Sequence, residues 1–156
     1  MTQHDYRNLL LAVDFAADAE PVIARALQLR TLLGARLSLV HVLEYIPRAV
    51  EFMPMSYAGD IALPDDLDLE KRLLDTAQVQ LDELGERLGV PPEDRHLQIG
   101  PTGHAIQAVA EELGADLVIL GCHGRHGLRA LLGGTAKGLV QGLSCDTLCV
   151  RIPEGA

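Results

Sequence analysis

The sequence contains no tryptophan, and aromatic residues make up only 3% of its 156 positions. Its core must therefore be built from Leu, Val, Ile and Ala. Basic residues are also scarce, with 13 Lys and Arg against 22 Asp and Glu and a net charge of −9. That balance argues against a general nucleic-acid binder, which needs cations to displace the counterions of the phosphate backbone. It argues equally against attachment to an anionic membrane surface. A bound phosphate would have to be held by main-chain N–H groups and a few local cations. The plain reading of the acidic surface is solubility.

Cysteine is limited to Cys122, Cys145 and Cys149. An odd number without framework spacing points to a reducing compartment. Cys145 and Cys149 are too far apart for a Cys-x-x-Cys redox motif. The first eight residues carry no signal-peptide pattern, and no apolar run approaches the ~20 residues that cross a bilayer. A cytoplasmic location without membrane insertion is the expectation.

What the chain does have is a 48% share of hydrophobic residues in a length that suits one domain, residues 1–156. Asn8 to Asp14 is a short apolar run ending in a carboxylate, the pattern of a strand buried on both faces. Asp18 is placed to cap a helix with Pro21 in its first turn, and Gly34 to end it. Arg36 to Leu43 reads as the second strand. Residues 44–65 are irregular, with Pro47, Pro54, Gly59 and Pro64 among apolar residues, and read either as a flap packed over a site or against a partner, or as a surface loop. Asp66 to Leu88 is patterned as a long helix, Arg95 to Ile99 as a weak strand, and Thr102 as the cap of a further helix closing at Gly114. Asp116 to Gly121 is the clearest strand. Thr135 to Leu143 reads as a short helix and Thr147 to Ile152 as the last strand. Strict alternation of strand and helix predicts a parallel sheet covered by helices on both faces.

Between the fourth strand and the next helix lie Gly121, Gly124, Gly127, Gly133 and Gly134, followed by Thr135. Open α/β sheets bind ligands at such strand ends. Glycine lets the main chain approach a phosphate closely, and the unpaired N–H groups of a helix start favour anions. Neither the P-loop pattern nor Gly-x-Gly-x-x-Gly is present. Phosphate binding and a purely structural loop both fit these residues. Arg125, His126 and Arg129 within the loop suit either contacts to β- and γ-phosphates or a solvated surface. Cys122, His123 and His126 lack the further ligands that a zinc site needs, so no metal site is assigned to protein side chains.

Gly121-x-x-Gly124, then nine residues, then Gly134-Thr135 resembles the nucleotide motif Gly-x2-Gly-x9-Gly-Ser/Thr of the universal stress protein family. The resemblance extends over nearly the whole chain. Leu10 to Asp14 resembles the family's first strand, Leu39 to Val42 its second, and Gly114 to Gly127 the segment leading into the motif. The ending from Cys145 to Arg151 resembles the A-type branch. The resemblance implies an open, twisted, five-stranded parallel sheet, Rossmann-like and of the adenine nucleotide alpha hydrolase type. It also implies a homodimer formed through strand 147–152. The intact motif resembles that of the ATP-binding members.

Carried over residue by residue, the resemblance places Asp14 at the ribose, the Val42 main chain at the adenine edge, and Ala12 and Val13 along the adenine pocket. Leu120 and Gly121 would lie beside the ribose and phosphates. Gly124, Gly134, Thr135 and Ala136 would hold the phosphates, mainly by main-chain N–H groups. The implied ligand is ATP, or ADP or AMP, with Mg²⁺ held through the phosphates. The implied function is a nucleotide-binding regulatory or sensor module in the stress response, read by a protein partner. Two alternatives remain open at this stage: a slow ATPase or autophosphorylating protein, and a dimeric interaction protein that binds no nucleotide.

Overall fold

A computed structural model describes residues 5–44, 64–123 and 139–153. Their order is β1 (Asn8–Ala12), α1 (Glu20–Leu33), β2 (Arg36–Leu43), α2 (Pro64–Leu88), a 3₁₀ turn (Pro92–Asp94), β3 (Arg95–Ile99), α3 (Thr102–Leu113), β4 (Leu117–His123) and β5 (Asp146–Ile152). Residues 139–142 form one further helical turn. The five strands make one sheet in the order β3-β2-β1-β4-β5, and every pairing is parallel.

The central position of β1 explains its sequence. Leu9, Leu10 and Leu11 are all at most 1% exposed, because neighbouring residues of a strand point to opposite faces and both faces are covered. Leu9 and Leu11 pack with Val22, Ile23 and Ala26 of α1 and with Leu81, Leu84 and Leu88 of α2. Leu10 packs on the other face with Val40, Val118 and Leu120, with Ile106 and Val109 of α3, and with Leu139. The predicted two-sided α/β architecture is therefore present. Polar groups fasten its seams. The Asp116 carboxylate accepts the N–H groups of Arg7 and Asn8, each at 2.8 Å, which ties the start of β1 to the start of β4. Arg95 bonds Asp82 and Glu86 of α2 together with the Val90 carbonyl, and its guanidinium lies over Gly85, where a Cβ would collide with it.

Several element ends differ from the sequence expectation, each for a local reason. α1 begins at Glu20 with Ala19 in the N-cap position and no side-chain cap, so Asp18 is not the capping residue. Ala19 is helical in its own φ and ψ, a conformation unlike the extended one in which a side chain caps. Pro21 does sit in the first turn, and Gly34 closes the helix at φ 60°. β1 stops at Ala12 rather than Asp14. β4 continues to His123, past Gly121, because Arg151 and Ile152 of β5 lie opposite Cys122 and His123 and complete the ladder. α2 starts at Pro64, a residue well suited to a first turn because it has no N–H to leave unpaired. Thr102 is the first residue of α3 rather than its cap, with Pro101 at the N-cap position.

Candidate functional site

The carboxyl ends of β1, β2 and β4 surround a pocket lined by Leu11, Ala12, Val13, Asp14, Ala19, Val22, Ile23, Val40, His41, Val42, Glu44, Thr102, Ile106, Leu120, Gly121 and Ile152. β1 lies between β2 and β4, and its connection leads to one side of the sheet while β4 flanks the other. The pocket is thus at the topological switch point, the usual ligand position in open α/β sheets. Ala12, Val13, Asp14, Val42, Leu120 and Gly121, six of the residues singled out in the sequence, meet there although up to about 110 positions separate them. Gly124, Arg125, His126, Gly134, Thr135 and Ala136 lie outside the described residues, as do positions 45–63 of the irregular segment.

The sheet opens at Val42 for a reason visible in its ladder. Residue pairing between β1 and β2 ends at Ala12 opposite Val40, and the Val13 N–H donates to the Val40 carbonyl at 2.9 Å. A continuing parallel ladder would bring the Val42 N–H to the Val13 carbonyl. That carbonyl instead receives His41 Nδ1 at 2.7 Å, and since a carbonyl only accepts, Nδ1 carries the proton. On the far side of β2 the Leu43 carbonyl accepts Gly100 N–H, so Leu43 faces β3. Val42 faces the opposite way by alternation. Its N–H and C=O point to the β1 side, beyond the last paired residue of β1. A donor and an acceptor side by side on one residue match the edge of a heterocyclic base.

The turn after β1 sets the pocket's rim. Asp14 is exposed, and its Oδ1 accepts the Ala16 N–H at 3.1 Å. Phe15 between them has φ 58°, a conformation that is uncommon for a bulky residue. Its ring lies 4.4 Å from that of His41, tilted by 44°. Asp14 therefore has a turn-forming oxygen and a second oxygen with no hydrogen bond among the described residues. The first oxygen holds the turn at Phe15. The second leaves an acceptor for a hydroxyl.

Gly121 forms part of the pocket wall, and a Cβ there would come within 2.8 Å of both Ile152 Cδ1 and Val22 Cγ2. Its missing side chain lets β4, β5 and α1 close up beneath the site. Glu44 and Thr102 were not anticipated as site residues. One carboxylate oxygen of Glu44, Oε1, accepts both the Thr102 N–H at 3.0 Å and the Thr102 hydroxyl at 2.5 Å. The glutamate thereby supplies the negative charge at the start of α3 that Pro101 cannot. These bonds hold the Glu44 carboxyl below the ordinary range, with the Thr102 hydroxyl as the larger cause. No sequence signal links two residues that are 58 positions apart.

A depressed folded value adds stability above the unfolded glutamate pKa, and that stability is lost as pH falls through the folded value. Glu44→Gln should therefore lower stability near neutrality and flatten the acid limb, so that the two profiles converge below about pH 4. Urea midpoints measured from pH 3 to 7 check this, and parallel profiles for the two proteins would refute the assignment.

The lining is mostly aliphatic. Among the described lining residues there is no Lys or Arg, while Asp14 and Glu44 are acidic. Apolar walls with a few convergent polar groups are the usual make-up of a small-molecule pocket. This part of the site suits an uncharged ring with amino and hydroxyl donors. It does not suit a phosphate.

A five-stranded parallel sheet with helices on both faces and a pocket at the switch point defines an α/β protein of the Rossmann-like kind. Residues 5–151 match the universal stress protein family, and the chain belongs to that family. Its relatives include universal stress protein A homolog 1 of Coxiella burnetii, 34% identical over 149 residues, with 96% of this chain and 99% of the relative covered. The fold is similar to that of the universal stress protein UspA from Lactobacillus plantarum, with a TM-score of 0.68 at 18% identity, covering 96% of this chain and 100% of the other. It is also similar to a universal stress protein solved in complex with cAMP, with a TM-score of 0.55 at 18% identity, covering 96% and 99%. Among the described residues no helix is long and apolar enough to cross a membrane.

Proposed function

We propose that this protein is an adenine-nucleotide-binding regulatory module of the stress response, located in the cytoplasm and acting as a homodimer. The observation that carries the reading is the convergence of the Val42 main chain, the free Asp14 oxygen and Gly121 around one mostly aliphatic pocket. The base lies against Ala12, Val13 and Leu120, with its edge on Val42. The ribose hydroxyls reach Asp14. The phosphates extend toward Gly124, Arg125, His126, Gly134, Thr135 and Ala136, in the segment whose glycine spacing matches a nucleotide motif. Mg²⁺ bound to those phosphates would neutralise their charge. A relative of the same fold in complex with cAMP supports an adenine ligand. The dimer forms through residues 147–152, since β5 is an edge strand of the described sheet and an edge strand offers unpaired main-chain groups to a second copy.

Isothermal calorimetry with ATP, ADP and AMP tests the reading. The unaltered protein should bind at least one of them in a saturable, one-per-chain manner. The double variant Gly124→Ala, Gly134→Ala should bind ATP at least about tenfold more weakly, a loss of about 1.4 kcal/mol. Absence of binding by any adenine nucleotide would leave a dimeric interaction protein with no nucleotide.

A further inference from the structure

Glu44 has a use beyond holding α3. Both of its bonds to Thr102 are made by the same oxygen, Oε1. The other oxygen, Oε2, has no partner among the described residues, and Glu44 lies on the pocket wall. It comes two residues after Val42, whose N–H and C=O face the pocket. A carboxylate only accepts hydrogen bonds. Its lowered proton affinity keeps it charged at neutral pH, and the Thr102 bonds limit its motion. The site thus presents, in sequence, a main-chain donor and acceptor at Val42 and then a fixed anionic acceptor.

We infer that Glu44 is a specificity-determining residue, whose free carboxylate oxygen receives the exocyclic amino group of a 6-amino purine lying on the Val42 main chain. This rests on the nucleotide reading above and deepens it. An exocyclic amino group carries two hydrogens. The Val42 carbonyl takes one, and Glu44 takes the other. Guanine and hypoxanthine carry a carbonyl oxygen at the same ring position. That oxygen would face two acceptors and give up a hydration shell for nothing, which is how a buried polar group rejects an isostere. The resulting preference is for adenosine over inosine and guanosine compounds, whatever the number of phosphates.

The test compares ATP and ITP on the full chain by calorimetry, before and after Glu44→Gln. Glutamine has the same length and keeps one oxygen for Thr102, but it presents an amide donor where the free oxygen was. ATP binding should weaken by about tenfold, as expected for losing a hydrogen bond to a charged group. ITP binding should hold or improve, so that the ATP-to-ITP ratio falls by at least about tenfold. Equal changes in both, or an unchanged ratio, would overturn the inference and reduce Glu44 to a support for α3. If the unaltered protein binds no adenine nucleotide, the nucleotide reading falls and this inference with it. If it binds ATP but the ratio does not respond, only this inference falls. Should the variant not fold, N6-methyl-ATP on the unaltered protein gives the same answer. One amino hydrogen then remains for two acceptors, so either Val42 or Glu44 loses its bond, and affinity should drop about tenfold relative to ATP. Equal binding of the two would refute the role.

Discussion

Replacing Leu11 by alanine should lower the unfolding free energy by about 2–5 kcal/mol, the largest stability effect expected of any single side-chain truncation near the site. Leu11 is 0% exposed and lies in the central strand, packed against α1 and α2. Truncation removes buried methyl groups and leaves a cavity that neighbours on both flanking strands cannot close, because β2 and β4 are held in register on either side. Leu11 also lines the pocket, so the cavity would open into it. Leu33→Ala serves as the control. Leu33 is 42% exposed at the end of α1, and its truncation should stay within about 0.5 kcal/mol. Urea denaturation of both variants at pH 7 checks the contrast. A Leu11→Ala loss as small as that of Leu33→Ala would mean that β1 is not the packed centre of the sheet.

The second large effect is expected at Gly121. A methyl group at this position meets Ile152 Cδ1 and Val22 Cγ2 at 2.8 Å, closer than real Cβ atoms come to their neighbours. Both are side-chain ends, so they yield, but they move within a packed layer. Gly121→Ala should cost about 1–3 kcal/mol by overpacking. Both displaced residues line the pocket, so the proposed nucleotide binding should weaken as well, by at least about tenfold. Gly121→Val, with two more methyl groups in the same space, should do more of both. Thermal unfolding and calorimetry with ATP measure the two effects side by side. A Gly121→Ala protein with unchanged melting temperature would contradict the described packing. One that is destabilised yet binds ATP normally would separate the packing role from the site.

These two residues also show how much of the molecule can be read without coordinates. Three consecutive leucines in a short run already required a strand covered on both faces, and that strand is β1. Gly34 and Gly114 marked two helix ends, and both take the left-handed conformation that glycine adopts without strain. In the sequence Gly121 reads as part of a ligand motif. Its packing against Val22 and Ile152 was not legible, because neither partner is near it in the chain. The family resemblance implies a ribose contact for Asp14, whereas its bond to the Ala16 N–H depends on the turn at Phe15. Local preference alone makes Thr102 a helix cap. The actual cap is Glu44, and a preference scale that looks only at adjacent residues cannot find it.

Apolar runs, glycine stops and alternating periods are local properties, so the amino-acid order alone determined the element sequence, the parallel α/β class and the place of the glycine-rich stretch. Tertiary structure decided which main-chain groups stay unpaired at the end of β2 and which carboxylates border the pocket. Those outcomes depend on where strands of unequal length stop pairing and on contacts between residues far apart in the chain. The energies involved belong to the assembled sheet and are absent from any single segment.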